Sequence, residues 1–376
     1  MATRRKAQLE GGEGRPRVTT QSHRGLADVI GHLPAVASLR HQLSTRTLSH
    51  AYWLSGPPQV GKTSIALSVA AELLSAADWP GGLVSHPDLW LEDSEGSISI
   101  DRVRAHDSDL EAEEGPTLQH FLSLSAFAGA GKVAIIGNAE RLTLPAANSL
   151  LRLLEEPPPN TTIWLCTSRP DSEHLPSTLR SRCQQLLLGP VEPDTISAWL
   201  IGVHQFPAEA ARVAAAICLG RPGLGLEMVQ DRELGRRSAE QLERLISCAG
   251  AGPRQWLELS RQLAERGTDR GVARAALRVW ASFLRDCCCL AIGVPELSRW
   301  PDQAQLASEW ASRLGPEGCS RRYDLALDAL ARLDEMATPR LVLDRFLLLA
   351  FGHGGDGPHG PSGGDWRPVL SATDKR

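Results

Sequence analysis

Short apolar runs separated by helical spacing fill the first half of the chain, and helical spacing alone fills the second. Ala51-Tyr52-Trp53-Leu54 reads as a buried strand, followed by a Gly/Pro turn and a helix over about 62–74. Lys132-Val133-Ala134-Ile135-Ile136 predicts a second strand, Thr162-Ile163-Trp164-Leu165-Cys166-Thr167 a third and Gln184-Gln185-Leu186-Leu187-Leu188 a fourth. Strands separated by helical segments predict a parallel sheet with crossover helices. After Pro190 and Pro193 the pattern turns helical, with Ala-rich stretches to about Leu226. From about Ser238 to Phe351 the apolar positions recur at helical spacing, as over 272–292 and 323–336. That predicts a separate all-helical domain. Both ends lack a pattern: 1–25 is rich in Gly, Arg and Thr, and 352–376 holds seven glycines with Pro358, Pro361 and Pro368. Both are expected to be flexible tails.

The length of 376 residues suggests two or three domains at roughly 150 residues each. With 42% apolar and 22% charged residues, the chain is neither disordered, nor collagen-like, nor a small disulfide scaffold. No run of about 18 apolar residues predicts a membrane span, and the Met-Ala-Thr-Arg-Arg-Lys start lacks the apolar stretch of a secretory signal. The eight cysteines form no paired framework and three are consecutive, Cys287, Cys288 and Cys289. A reducing cytoplasm is expected. Neighbours on a helix stand about 100° apart, so the three thiols do not share a face and read as packing residues.

Charge narrows the function. The net charge is −4, and residues 1–25 carry +4, which leaves −8 for the remainder. A chain built chiefly to grip a phosphate backbone is more basic than this. Aromatic residues, at 5%, are also too sparse for a stacking platform on single strands. Any nucleic-acid role is expected to be shared with partners, with the basic tail as the one electrostatic contact.

The candidate chemistry begins at Gly56-Pro57-Pro58-Gln59-Val60-Gly61-Lys62-Thr63, which fits G-x-x-x-x-G-K-[ST] without a mismatch between a strand and a helix. Backbone N–H groups in such a loop curl around phosphates, and the helix dipole favours the negative charge. Lys62 is expected to reach the β/γ phosphates and Thr63 to hold Mg²⁺, with Gly56, Gly61 and Ser64 completing the site. Hydrolysis needs carboxylates at the end of a neighbouring strand. The strand ending at Ile136 continues Gly137-Asn138-Ala139-Glu140, and the first two cannot supply charge. Glu140 is expected to be a solvated acid at the start of the next helix.

Three blocks then carry a resemblance: the 50–56 entry into the phosphate loop, Ala146-Ala147-Asn148-Ser149-Leu150-Leu151-Arg152-Leu153-Leu154-Glu155-Glu156-Pro157-Pro158, and Leu175-Pro176-Ser177-Thr178-Leu179-Arg180-Ser181-Arg182-Cys183. In this order and spacing they resemble the AAA+ subunits of the bacterial DNA polymerase III clamp loader. The likeness is strong over 26–226 and weak beyond, through Phe283-Leu284-Arg285-Asp286 and Pro339-Arg340-Leu341-Val342-Leu343-Asp344. It implies an α/β plus all-α chain. Residues 26–190 would form a P-loop AAA+ parallel-sheet domain, 191–232 a small helical lid and 238–351 a helical collar for oligomerisation, between tails at 1–25 and 352–376.

Within that family, three departures favour the delta-prime branch over the gamma/tau motor. Gly137-Asn138 stands where the motor carries an Asp-Glu pair, Gly223 stands where its lid carries an arginine, and the sequence stops after the collar-like helices. The resemblance implies that Arg182 reaches a neighbour's γ-phosphate as an arginine finger, with Arg180 as a stand-in. It also implies that Thr167 senses the γ-phosphate, although a β-branched residue also suits the strand for its own sake. The family's four-cysteine zinc module is not expected, because no cysteine lies between Lys62 and Thr162. His86, His106 and His120 are too scattered for a metal site, and His86-Pro87-Asp88 reads as structural. The expected role is a stator-like component of the polymerase holoenzyme. It would bind ATP or ADP with Mg²⁺, hydrolyse poorly, and join gamma/tau and delta subunits in a heteropentamer. That assembly loads the sliding clamp on primed DNA. A gamma/tau-type motor that uses Glu140, and a scaffold with a vestigial loop, are the alternatives.

Overall fold

The computed structural model describes residues 25–352 except 77–78, 81, 95, 105–115, 128–130, 171–174, 265–269, 301–302 and 335–336. The expected tails, beyond Gly25 and Gly352, and His106 lie outside the described residues. The chain divides between Pro190 and Val191 into two compact units.

The first unit is built on five strands: β1 (Ala51–Ser55), β2 (Leu89–Glu92), β3 (Lys132–Ile136), β4 (Thr161–Thr167) and β5 (Gln184–Leu187). All pair in parallel, in the order β2-β3-β4-β1-β5. The helices are α1 (Leu33–Thr45), α2 (Lys62–Leu73), α3 (Ile100–Val103), α4 (Leu118–Ser123), α5 (Leu144–Glu155) and α6 (Ser177–Arg180). Successive strand side chains face opposite ways, and here both faces are covered. Ala51, Trp53, Ala134, Ile136, Ile163 and Leu165 pack with α5 and its neighbours. Tyr52, Leu54, Val133, Ile135, Trp164 and Cys166 pack with α1 and α2. Burial on both faces is why these strands read as unbroken apolar runs. Tyr52 and Trp164, paired across β1 and β4, stack with centroids 4.1 Å apart and planes within 10°.

Strand β2 is absent from the pattern of apolar runs. It has four residues, lies at the sheet edge and ends on the charged Glu92, so only Trp90 and Glu92 are buried. Its pairing to β3 supplies what its composition does not. Burial raises the Glu92 carboxyl, but Ser94 and Arg102 at 2.8 Å together hold it below the usual range.

The second unit is helical: α7 (Pro193–Gly202), α8 (Ala208–Ile217), α9 (Pro222–Val229), α10 (Leu234–Ala249), α11 (Pro253–Leu263), α12 (Arg270–Ala291), α13 (Ala304–Asp334) and α14 (Pro339–Phe351). Helix α13 bends at Gly315-Pro316, where Gly315 has φ 66°. The segments 191–232 and 238–351 fold together in this unit. Ser282 on α12 donates to Ala216 O of α8 at 2.7 Å and accepts from Trp300 Nε1 at 2.9 Å. The fully buried Asp286, one turn on, accepts from Ser298 Oγ and from the Arg299 and Trp300 N–H groups at 2.7–2.9 Å. Cys287 and Cys289 are buried and Cys288 is partly exposed, in keeping with packing residues. No helix among the described residues is long and apolar enough to cross a membrane.

Trp164 is fully buried on the central strand. Trp164→Ala is expected to lower unfolding stability by about 3–5 kcal/mol, read as a shifted urea midpoint.

Candidate functional site

In an open parallel sheet, ligands gather at the carboxyl ends of the strands. The register aligns those ends, with Ser55 of β1 opposite Thr167 of β4 and Leu165 of β4 opposite Ile136 of β3. The phosphate loop leaves β1 at Gly56. A Cβ there would stand 2.3 Å from Leu188 O, while Leu188 N–H donates to Ser55 O at 2.8 Å, so only glycine lets the loop pass so close to the chain after β5. Gln59 (φ 60°) and Gly61 (φ 110°) turn the backbone back toward α2. His32 Nε2–H donates to Val60 O at 3.0 Å and braces the loop from outside. The α2 ladder begins with Ile65 N–H on Gly61 O at 2.9 Å. The N–H groups of Thr63 and Ser64 thus lie outside the ladder, at the positive end of the helix.

Lys62 opens α2 and is only 6% exposed. Its ammonium donates to Gly56 O at 2.9 Å, Pro57 O at 2.7 Å and Ser168 Oγ at 2.9 Å. The loop therefore closes on its own lysine, and a phosphate can replace these acceptors with charged ones. The Cys166 thiol near the end of β4 is pushed up to about 12 by burial, with Lys62 opposing. Thr63 follows Lys62 in the first turn of α2. Gly56, Gly61, Lys62, Thr63 and Ser64 come together as one cradle, and their donor set suits a nucleoside phosphate with its magnesium.

Thr167 ends β4 as expected, and the surroundings of Thr167 and Glu140 add partners that the sequence did not indicate. Thr167 is fully buried and its hydroxyl accepts from Arg169 N–H at 3.0 Å. The hydroxyl that meets Lys62 belongs to Ser168, one step further, where the chain leaves β4. The boundary of an apolar run does not mark that step. Glu140 is not a solvated helix-start acid. It lies in the 3-10 turn Ala139–Arg141 and its carboxylate accepts from Ser168 N–H at 3.2 and 3.3 Å. A path of hydrogen bonds thus runs from Glu140 through Ser168 to Lys62.

Arg182 stands apart from this group. It follows the short α6, with Nη1 donating to Thr178 O at 2.9 Å and Nη2 paired to Glu155 Oε1 at 2.6 Å. Its side chain is 35% exposed, and both of these partners lie outside the phosphate loop. Arg180 closes α6. His86 is buried and its Nδ1 accepts from Asp88 N–H at 3.1 Å, which makes it part of the turn into β2.

Gly56→Ala is expected to cost about 1–3 kcal/mol, as overpacking against a backbone carbonyl does, while Gly61→Ala, with open space around its Cβ, carries only backbone strain. Urea midpoints of the two variants test this.

Residues 31–192 match the protein family described as DNA polymerase III, delta subunit. The chain is 32% identical over 214 residues to DNA polymerase III subunit delta' of Pseudomonas aeruginosa, covering 52% of this chain and 60% of that one. It is 32% identical over 187 residues to subunit delta' of Bacillus subtilis, covering 47% and 53%. It is also 32% identical over 178 residues to subunit tau of Escherichia coli, covering 45% and 26%. The chain spans about half the length of the delta' relatives it matches. The sheet from β2 to β5, the phosphate loop and Arg182 all fall inside the segment, residues 31–192, that is similar to the DNA polymerase III delta-subunit family.

Proposed function

We propose that this chain acts as a delta-prime-type subunit of a DNA polymerase III clamp loader, giving Arg182 to a neighbouring ATPase subunit while turning over ATP poorly itself. The observation that carries the reading is an asymmetry. The phosphate loop is complete, β3 is followed by the uncharged Gly137-Asn138, and the Arg182 guanidinium is held by Glu155 and Thr178, which lie outside the loop. Relatives named delta', tau and gamma support a clamp-loader role.

In this reading Gly56, Gly61, Lys62, Thr63 and Ser64 hold the phosphates of ATP or ADP. Lys62 gives up carbonyl oxygens for phosphate oxygens, and the Thr63 hydroxyl ligates the magnesium. The metal, when bound, draws charge off the phosphates. Ser168, backed by Glu140, takes the sensing role assigned on resemblance to Thr167. Without a carboxylate at 137 or 138 to polarise water, the nucleotide is held rather than hydrolysed. An exposed pair such as Arg182–Glu155 contributes about 0–1 kcal/mol, so the guanidinium exchanges Glu155 for a neighbour's γ-phosphate at little cost. Residues 191–232 would serve as lid and 238–351 as collar, in a pentamer with gamma/tau and delta subunits that opens the sliding clamp and meets primed DNA indirectly.

The test is clamp- and DNA-stimulated ATP turnover in a reconstituted assembly with gamma/tau and delta subunits. Arg182→Ala is expected to lower turnover by roughly 10³-fold with assembly intact by size-exclusion chromatography. Unchanged turnover would falsify the trans finger. One observation favours the motor alternative: the Glu140 carboxylate, joined to Lys62 through Ser168. Turnover by the chain alone that disappears in Glu140→Gln would support that reading instead.

A further inference from the structure

The acid missing from β3 has a counterpart one strand away. Asp93 is the first residue after β2, and the β2–β3 register sets Glu92 opposite Ile136. Asp93 and Gly137 therefore leave the sheet side by side, tied by Gly137 N–H on Glu92 O at 2.8 Å. Their relation is close. A Cβ built on Gly137 would lie 2.2 Å from Asp93 Oδ1 and 2.9 Å from its carboxyl carbon. The Asp93 carboxylate thus fills the volume in which a side chain at 137 would begin. Any residue but glycine at 137 would expel it. The φ of Gly137 is not in the left-handed region, so space, not backbone angle, is what the glycine provides.

Asn138 adds a second contact. Its Nδ2 donates to the same Asp93 Oδ1 at 3.2 Å and to Ser94 O at 3.4 Å. An amide in this position orients a carboxylate without neutralising it. Asp93 is exposed, open to the edge where the strands end. Parallel pairing brings the ends of β2 and β1 to one edge of the sheet, so Asp93 shares that edge with the phosphate loop.

We propose that Asp93 supplies, from β2, the carboxylate that faces the magnesium of the loop-bound nucleotide, in place of an acid at the end of β3. This rests on the reading of the loop as a nucleotide site. A hard divalent cation takes oxygen ligands and keeps several waters, so a carboxylate set back by one strand meets it through a bound water. The arrangement provides a metal-facing acid, while Gly137 and Asn138 themselves offer none to polarise the attacking water. It therefore favours a site that retains magnesium nucleotide and turns it over slowly.

The experiment titrates the full chain with N-methylanthraniloyl-ADP, with Mg²⁺ and with the metal chelated. The wild type is expected to bind more tightly with Mg²⁺. In Asp93→Asn, which keeps the shape of the side chain, the ratio of the two affinities is expected to fall about tenfold or more, as for lost outer-shell support of a metal. Asp93→Ser serves if the first variant has a lowered urea midpoint. Substituting Mn²⁺ for Mg²⁺ gives a direct readout, since ADP-dependent loss of the free-ion paramagnetic signal should weaken in the same variants. An unchanged Mg²⁺ ratio in folded Asp93→Asn, with nucleotide still bound, overturns the role of Asp93 alone. Absence of nucleotide binding in the wild type overturns the nucleotide reading of the loop, and this proposal with it.

Discussion

A buried ammonium cannot be left without acceptors, and the site is organised around that demand. Lys62 opens α2 in a place where almost none of it is exposed, and three oxygens take its protons: two loop carbonyls and the Ser168 hydroxyl. The two carbonyls fix how tightly the loop curls. The hydroxyl fixes where the end of β4 must lie relative to the start of α2. Ser168 is itself held by Glu140, from the turn after β3. One charge thus couples the exits of β1, β3 and β4, and a phosphate that competes for it acts on all three.

The coupling depends on the parallel register. Parallel pairing brings the carboxyl ends of all five strands to one edge, and close approach then decides which groups stand there. At Gly56 it admits the chain after β5, and at Gly137 it admits the Asp93 carboxylate. Both glycines serve proximity. The result is an edge that gathers the phosphate-loop N–H groups, Lys62 and the Asp93 carboxylate, while Arg182 follows α6 and pairs with Glu155.

The helical unit depends on a different buried polar group. Asp286 takes one hydroxyl and two backbone N–H groups from 298–300, and this holds the α12–α13 connection against α12. Ser282, one turn earlier, carries the same path on to α8. Polar groups this deeply buried are stable only when bonded, so they set the packing of these helices more narrowly than apolar contact does.

The sequence by itself determined the elements with strong local patterns. These are the phosphate loop, the strands β1, β3, β4 and β5, and the helical second half. Each was legible because a strand covered on both faces, a glycine turn before a helix and a helical stripe all leave their mark on consecutive residues. The resemblance of the 146–158 and 175–183 blocks was legible for the same reason. Tertiary structure alone decided the rest. Strand β2 is short and carries charge, so its pairing, not its composition, makes it a strand. Ser168 meets Lys62 across 106 positions of chain, Glu140 meets Ser168 across 28 and Asp93 meets Gly137 across 44, distances over which a local pattern carries no information. Which hydroxyl faces the lysine, and which strand lends its acid, follows from register and close packing, and those exist only once the sheet has formed.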